Sequence, residues 1–274
     1  RLGVIGDWKD YYSTMSFKAE AQIVRELSKF LKEGSLYKGY KPVLWSTVEK
    51  TALADAEVEY MDHVSDTIYA LFPIKKTLTK NLEGCEIIIW TTTPWTIPAN
   101  KALAYNKNIS YQIIQIEDVG DFKNKKIVIA KDLLEQALKE CEIKNFEKLE
   151  ELSGKEFQNI ICAHPLEKEG YTYDIPMLEA SFVTTEQGSG IVHCAPSHGP
   201  DDFNLCLNNG IKAIETVDGD GKYTNNVKLF EGIHIFKANP IVIEKLKEQK
   251  NLLSNGELVH SYPHSWRSKA PLVH

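Results

Sequence analysis

The sequence predicts an α+β protein that is mainly β, a barrel or strongly twisted sheet with peripheral helices. Short runs rich in β-branched and aromatic residues recur between Thr67 and Val217, and one convincing helix interrupts them. Many strands with few interposed helices argue against the alternating pattern of a parallel α/β sheet. At 274 residues the chain has room for one large domain, or one domain with appendages.

The first element is a helix. Phe17, Ala21, Val24, Leu27 and Leu31 recur at helical spacing, with Ser16 to cap the start and Gly34 the end, so 17–33 reads as amphipathic. Tyr37 to Pro42 breaks the pattern, and Asp55, Glu57 and Glu59 read as a solvated face. Strands are then expected at Thr67–Phe72, Glu86–Trp90, Tyr111–Ile116, Lys126–Ala130, Gln158–Ala163, Phe182–Thr185, Ile191–Ala195 and Ile211–Val217. The interposed helix is 132–141, with Leu133, Leu134, Ala137, Leu138 and Cys141 on one side. A last helix begins at Asn239-Pro240, Asn as cap and Pro at the first helical position, and ends among Lys245, Lys247 and Lys250. Asp218-Gly219-Asp220-Gly221-Lys222 resembles the start of a calcium loop, but Lys222 and Leu229 stand where ligands belong, so it reads as a hairpin turn. Ser261 to Pro271 reads as a connection to another part of a protein.

Hydrophobic residues at 43% and charged residues at 26% describe an ordinary globular chain, and no run approaches the ~18 apolar residues of a membrane span. The opening Arg1-Leu2-Gly3 has no Met and no signal-peptide pattern, which suggests a fragment without a leader. Cys85, Cys141, Cys162, Cys194 and Cys206 form no CxxC pair, and their odd number argues against a disulfide framework and for a reducing compartment. A net charge of −6 is the opposite of what a self-sufficient nucleic-acid binder carries, so any RNA contact must be local or shared.

Two segments combine residue types that scaffold seldom needs. In Gly188 to Asp202, Gly188 and Gly190 let the backbone approach a ligand, and Pro196, Gly199 and Pro200 fold the chain back to present Asp202. On a strand, His193 and Cys194 point to opposite faces, which weakens a cysteine-hydrolase reading. Alone, His193 reads as a satisfied core histidine, and Asp201 and Asp202 can cap a helix beginning near Phe203. His193, His198 and Asp202 also suit a metal, though no strong ligand spacing supports one. In the second segment, Thr91, Thr92 and Thr93 follow the apolar run ending at Trp90, and Trp95, Thr96 and Asn100 add an aromatic face and hydrogen-bonding groups. Such neutral groups suit ribose hydroxyls and an ester, and Trp can stack an unpaired base. Strand propensity followed by a turn at Pro94 is the plainer account.

Together these segments resemble the editing (connective peptide 1) domain of bacterial-type isoleucyl-tRNA synthetases. Trp90 to Asn100 is similar to the threonine-rich motif, and Gly188 to Asp202 to the GTGxVHxAPxHGxDD motif, with Ser189 for Thr. The likeness extends to Tyr37-Lys38-Gly39, Ala52 to Glu57, Phe236 to Asn239 and Ser261 to Arg267. The valyl and leucyl relatives typically have Arg where this chain has Thr93, and lack His at His193. Ser265 and Ser268 occupy positions often held by Cys, so no metal is expected there.

The resemblance implies a distorted β-barrel editing fold at 63–252, a connector from the synthetase body at 1–62 and a return connector at 253–274. It implies hydrolysis of Val-tRNA(Ile) or valyl-adenylate. One methylene in a hydrophobic pocket is worth only about 1–3 kcal/mol, isoleucine against valine being the standard example, so a second sieve is needed. Asp202 would hold the α-ammonium and His193 form the wall that excludes isoleucine. Thr91, Thr92, Thr93, Thr96 and Asn100 would bind the terminal adenosine, the ester and the attacking water. Trp90, Gly188, Ser189 and Gly190 would complete the substrate site. Editing needs no cofactor and no metal; ATP and Mg belong to the synthetic domain, whose HIGH and KMSKS signatures do not occur here. Expected partners are the aminoacylated tRNA(Ile) end and the rest of a cytoplasmic, monomeric synthetase, with no membrane. Two alternatives stand beside this: a metal-dependent hydrolase using His193, His198 and Asp202, and a non-catalytic module for the tRNA 3′ end.

Overall fold

The computed structural model describes residues 3–274; Arg1 and Leu2, the start of the predicted connector, lie outside them. The chain divides into two compact units, Arg1–Tyr40 and Lys41–His274. The first holds helix α1 (Phe17–Lys32), as the apolar spacing predicts. Ser16 Oγ accepts the Ala19 N–H at 3.3 Å, and Lys29 and Lys32 occupy the last turn, where cations suit the helix dipole. No residue of α1 is buried.

The second unit is mixed α+β and mainly β. In chain order it comprises β1 (Trp45–Ser46), β2 (Thr51–Ala52), β3 (Val58–Lys76), β4 (Cys85–Thr91), β5 (Ala102–Tyr105), β6 (Ser110–Ile116), β7 (Lys126–Ala130) and α2 (Leu134–Glu140). After these come β8 (Phe146–Ser153), β9 (Ile161–Cys162), β10 (Ile175–Glu179), β11 (Val192–Cys194), α3 (Pro200–Asn208), α4 (Asn239–Glu248) and β12 (Leu252–Ser265). Ten strands form one sheet in the order β11-β5-β10-β9-β3-β4-β7-β6-β8, with β12 also on β3. β4 with β7 and β10 with β5 are parallel; the other pairs are antiparallel.

The path is open, so the closed barrel expected from the resemblance is not formed. Its two ends do not suit further pairing. β11 is three residues long, and β8 carries Glu147, Lys148, Glu150 and Glu151, charges of the kind that protect a free edge.

β3 is the spine. Its long ladder with β12 runs from Ser265↔Val58 to Leu252↔Ala70, so the predicted boundaries at 62 and 252 both fall inside one ribbon. Both faces of the sheet are covered. Ile68, Ala70, Phe72, Ile87 and Ile89 join the larger core with Val242 and Leu246 of α4. Tyr69, Leu71 and Ile88 pack with Leu134, Ala137 and Leu138 of α2 on the other side. A strand buried on both faces reads as an unbroken apolar run, which is why Ile87-Ile88-Ile89 shows no alternation. A smaller core joins Ala102, Ala104 and Cys194 to Cys206 of α3.

Of the expected strands, Phe182–Thr185 and Ile211–Val217 form none beyond the Val217↔Tyr223 bridge, and Gln158–Ala163 pairs only at Ile161–Cys162. β-propensity yields a strand only where a neighbour offers a ladder. The Asp218 to Lys222 turn is present, with Asp218 Oδ1 accepting the N–H groups of Asp220 and Lys222, both at 2.9 Å. All five cysteines are buried free thiols. Among the described residues no helix is long and apolar enough to cross a membrane.

Candidate functional site

Two antiparallel strands bring the distant segments together. β4 delivers Thr91 to the edge of the core, and Pro94 starts a buried 3₁₀ turn, Pro94–Ala99, from which Asn100 leads into β5. β11 lies against β5 with His193 opposite Leu103 and Cys194 opposite Ala102, which sets the His193 ring over the threonine-rich turn.

There a hydrogen-bond chain joins both segments. The Asn100 amide donates to Ala102 O at 2.9 Å and to His193 Nδ1 at 2.8 Å. With Nδ1 accepting, the neutral ring keeps its proton on Nε2 and donates to Thr96 Oγ1 at 2.7 Å. Thr96 passes its hydroxyl proton to Thr93 O at 2.8 Å, and Thr93 Oγ1 lies 3.1 Å from Thr91 Oγ1. Burial, reinforced by the His198 charge, pushes the His193 imidazole down to about 3. Both His193 nitrogens are committed, so its lone pair is not free to take a proton from water. Asn100 Oδ1 is buried and has no partner.

The two glycines give close approach to the chain's own side chains, Ala130 and Trp90. Gly190 has φ +73°, and a Cβ there would stand 2.2 Å from Ala130 Cβ; Gly188, at φ +85°, lies against Trp90. Ala130 N–H donates to Ser189 O at 2.9 Å, and the Ser189 hydroxyl is spent on Ile191 O at 3.0 Å.

Asp202 sits in the first turn of α3, which begins at Pro200, earlier than the sequence indicates. Its Oδ2 accepts the Ala195 N–H at 2.8 Å, two residues beyond His193. Burial raises its carboxyl to about 6, against the lowering effect of that hydrogen bond. Cys194 faces away from His193, and burial first, then the Asp202 charge, holds its thiol well above the usual range. Such a thiol is inert.

His193, His198 and Asp202 do not converge into a ligand set; among the described residues no group of three or more His, Cys, Asp or Glu does. His198 Nδ1 donates to His274 O at 3.0 Å, Nε2 lies 2.7 Å from Thr216 Oγ1, and the ring stands edge-on to Trp95 at 4.8 Å.

Thr92 stands outside the hydroxyl chain. With Thr93 and Trp95 it lines a hollow of about 380 Å³ whose other walls include His63, Asp66, Phe236, Asn239 and Tyr262. Neither His193 nor Asp202 lines it. Asn239, read from the sequence as a cap, follows the true cap position, Ala238, and uses its side chain elsewhere. Its Oδ1 accepts the Trp95 N–H at 3.0 Å, and its Nδ2 donates to Asp66 Oδ2 at 2.8 Å. Tyr223 OH donates to Trp95 O. No local signal marks these contacts, which span 128 to 173 positions.

Residues 1–241 match the family described as tRNA synthetases class I (I, L, M and V). The chain is 76% identical over its whole length to the isoleucine–tRNA ligase of Pelagibacter ubique, and 46% and 44% identical to those of Gluconobacter oxydans and Caulobacter vibrioides. It spans 30% of the length of each of these relatives. Among solved structures, the crystal structure of GlLeuRS-CP1 superposes with a TM-score of 0.51 at 12% identity, covering 68% of this chain and 97% of that one. At that identity the likeness concerns the fold.

Proposed function

The chain belongs to the class I tRNA synthetases of the I, L, M and V group, and from this premise we propose that it is the proofreading part of an isoleucine enzyme, hydrolysing valine wrongly attached to tRNA(Ile), or valyl-adenylate. The parent enzyme joins isoleucine to tRNA(Ile) with ATP, as a cytoplasmic monomer. The observation that carries this reading is the chain Asn100–His193–Thr96–Thr93, which locks two far-apart segments into one buried polar cluster.

Asp202 pairs with the α-ammonium of the misattached amino acid, an ion pair strengthened by its burial. His193, rigid and neutral, forms the wall that the longer isoleucine side chain meets. The threonine hydroxyls and Asn100 bind the ester and orient water. Water oxygen adds to the ester carbonyl carbon, the bond to the ribose oxygen breaks, and the products are free valine and a deacylated RNA end. With the His193 lone pair engaged, the vicinal ribose hydroxyl relays the proton.

The direct test is deacylation of Val-tRNA(Ile) against Ile-tRNA(Ile) by the purified chain, with and without a chelator. Valine release that ignores the chelator supports the reading. Binding of the RNA end without cleavage would replace it with a non-catalytic module.

A further inference from the structure

We propose that the junction between the two ends of the second unit is a two-turn metal scaffold that works without metal, the Glu49 carboxylate taking the place of the ion.

Two hairpins meet there. Ser46 ends β1 and pairs with Thr51, and Ser265 ends β12 and donates its N–H to Ala270 O at 2.9 Å. Their turns follow the same path. Lys50 N–H donates to Ser46 O at 2.8 Å, and Lys269 N–H to Ser265 O at 2.9 Å. Lys50 at φ +54° and Lys269 at φ +57° are both left-handed, which is uncommon for residues other than glycine. The Trp45↔Val273 bridge joins the two hairpins, and across it Ser46 and Glu49 of one turn meet Ser265 and Ser268 of the other.

Two turns that each supply a pair of side chains three positions apart are how structural zinc is held, through C-x₂-C pairs. The pairs here are Ser46-x₂-Glu49 and Ser265-x₂-Ser268, and their chemistry does not fit the ion. Three hydroxyls and one carboxylate replace the thiolates zinc requires, and calcium or magnesium needs a fuller oxygen shell. The carboxylate is also committed already. Glu49 Oε1 accepts the Ser265 hydroxyl at 2.9 Å and the Ser268 N–H at 3.1 Å, and Oε2 accepts the Ser46 hydroxyl. One central anion thus gathers donors from both turns, as a central cation gathers thiolates. The neighbouring lysines pair elsewhere, Lys50 with Asp220 at 2.7 Å and Lys269 with Glu59 at 2.6 Å, so neutral donors hold the charge. Ser46 and Ser265 are fully buried and have no water to turn to. A junction built this way stays closed when zinc is scarce or thiols are oxidised.

The first experiment gives the scaffold thiolates in the full chain, by combining Ser46→Cys, Glu49→Cys, Ser265→Cys and Ser268→Cys. Metal analysis and titration with Co²⁺ and Zn²⁺ should find no stoichiometric ion in the wild type. The combined variant should take up a stoichiometric ion, show the absorption of tetrahedral cobalt thiolate, and melt at a lower temperature once a chelator is added. A wild-type chain holding an ion that Glu49→Gln releases overturns the proposal, as does a folded combined variant that binds none.

The second experiment is independent of how that variant folds. Ser46→Ala and Ser265→Ala should each lower Tm by roughly 2–4 °C. Both losses should shrink when Glu49→Ala is already present, because the shared acceptor is gone. Losses that simply add would mean separate hydroxyl contacts with no common centre, and would overturn the clasp.

Discussion

His193 and Thr96 lie 97 positions apart in sequence and 2.7 Å apart in space, Nε2 to Oγ1. Because Asn100 holds the other ring nitrogen at 2.8 Å, the imidazole cannot rotate without breaking both bonds. An immobile wall is what exclusion by size requires, since a side chain that yields by one methylene discriminates nothing. His193→Ala is therefore expected to admit Ile-tRNA(Ile) to hydrolysis while retaining activity on Val-tRNA(Ile). It should also cost about 1–3 kcal/mol of stability, because the buried Asn100 amide loses one of its two acceptors and keeps only Ala102 O. Unaltered discrimination at full occupancy of the folded state would refute the wall assignment.

The role proposed for Asp202 predicts an acid limit. Its carboxyl titrates near 6, and only the carboxylate can hold an ammonium, so the free-enzyme rate should fall as pH drops through about 6. Asp202→Asn should be strongly impaired at neutral pH and lose that limb of the profile. The stability consequence has the opposite sense. A folded value raised from 3.8 means that the native state holds this proton more tightly than the unfolded chain. Asp202 therefore contributes most below pH 3.8, and the contribution, roughly 3 kcal/mol, is lost as pH rises through about 6. A flat rate profile between pH 5 and 8 would contradict the first statement, and an Asp202→Asn variant whose stability varies with pH as the wild type's does would contradict the second.

The buried imidazoles work the other way. His164 and His193 are held to about 3 and His198 to about 4, each chiefly by burial. His164 is locked as His193 is, donating to Ile97 O and accepting from the Leu166 N–H, each at 3.0 Å. Below pH 6.5 the unfolded chain takes up protons that these folded rings refuse, so stability falls progressively toward pH 4. Three such groups outweigh the single Asp202. Urea midpoints measured from pH 7.5 to 4.5 should decline, and His164→Gln should flatten the decline.

Gly190 is fixed by its surroundings. Any Cβ there stands 2.2 Å from that of Ala130 at a backbone angle L-residues avoid. Gly190→Ala is expected to cost roughly 2–5 kcal/mol. Ala130→Gly in the same chain should recover only part of it, since the backbone strain persists. Thermal denaturation of the single and double variants checks both.

Local pattern was legible and long-range pairing was not. The spacing of Phe17, Val24, Leu27 and Leu31 announces α1, and the apolar runs at Ile87–Ile89 and Ile127–Ile129 announce β4 and β7, because their periodicity or burial is written in adjacent residues. β8 was hidden by its charges, which belong to an edge, and β12 by Pro263 and three polar residues at its end, since its ladder is supplied by β3 some 190 positions earlier. Of the candidate site, Thr91, Thr93, Thr96, Asn100 and His193 do meet in one hydrogen-bond chain. Asp66, Asn239 and Tyr223 were missed, because a side chain reaching across the fold leaves no mark on its neighbours in sequence.

Glu49 fastens the two ends of the second unit. Its Oε1 accepts the Ser265 hydroxyl at 2.9 Å and the Ser268 N–H at 3.1 Å, while Oε2 accepts the Ser46 hydroxyl. Ser46 and Ser265 are fully buried, so their hydroxyls have no water to replace a lost acceptor. The Ser268 hydrogen bond, opposed by desolvation, leads in holding the Glu49 carboxyl below its ordinary value, so this contribution is present at neutral pH and is lost as pH falls. Backbone bonds between Trp45 and Val273, at 2.7 and 3.1 Å, close the same junction from the other side. Glu49→Ala should therefore lower the unfolding free energy by about 1–3 kcal/mol, and Glu49→Gln by less, because the amide oxygen still accepts. Neither change touches the threonine-rich turn or His193. Both variants should keep the wild-type ratio of valine to isoleucine hydrolysis below their melting temperatures; a shifted ratio would mean that the junction sets the geometry of the site as well as its stability.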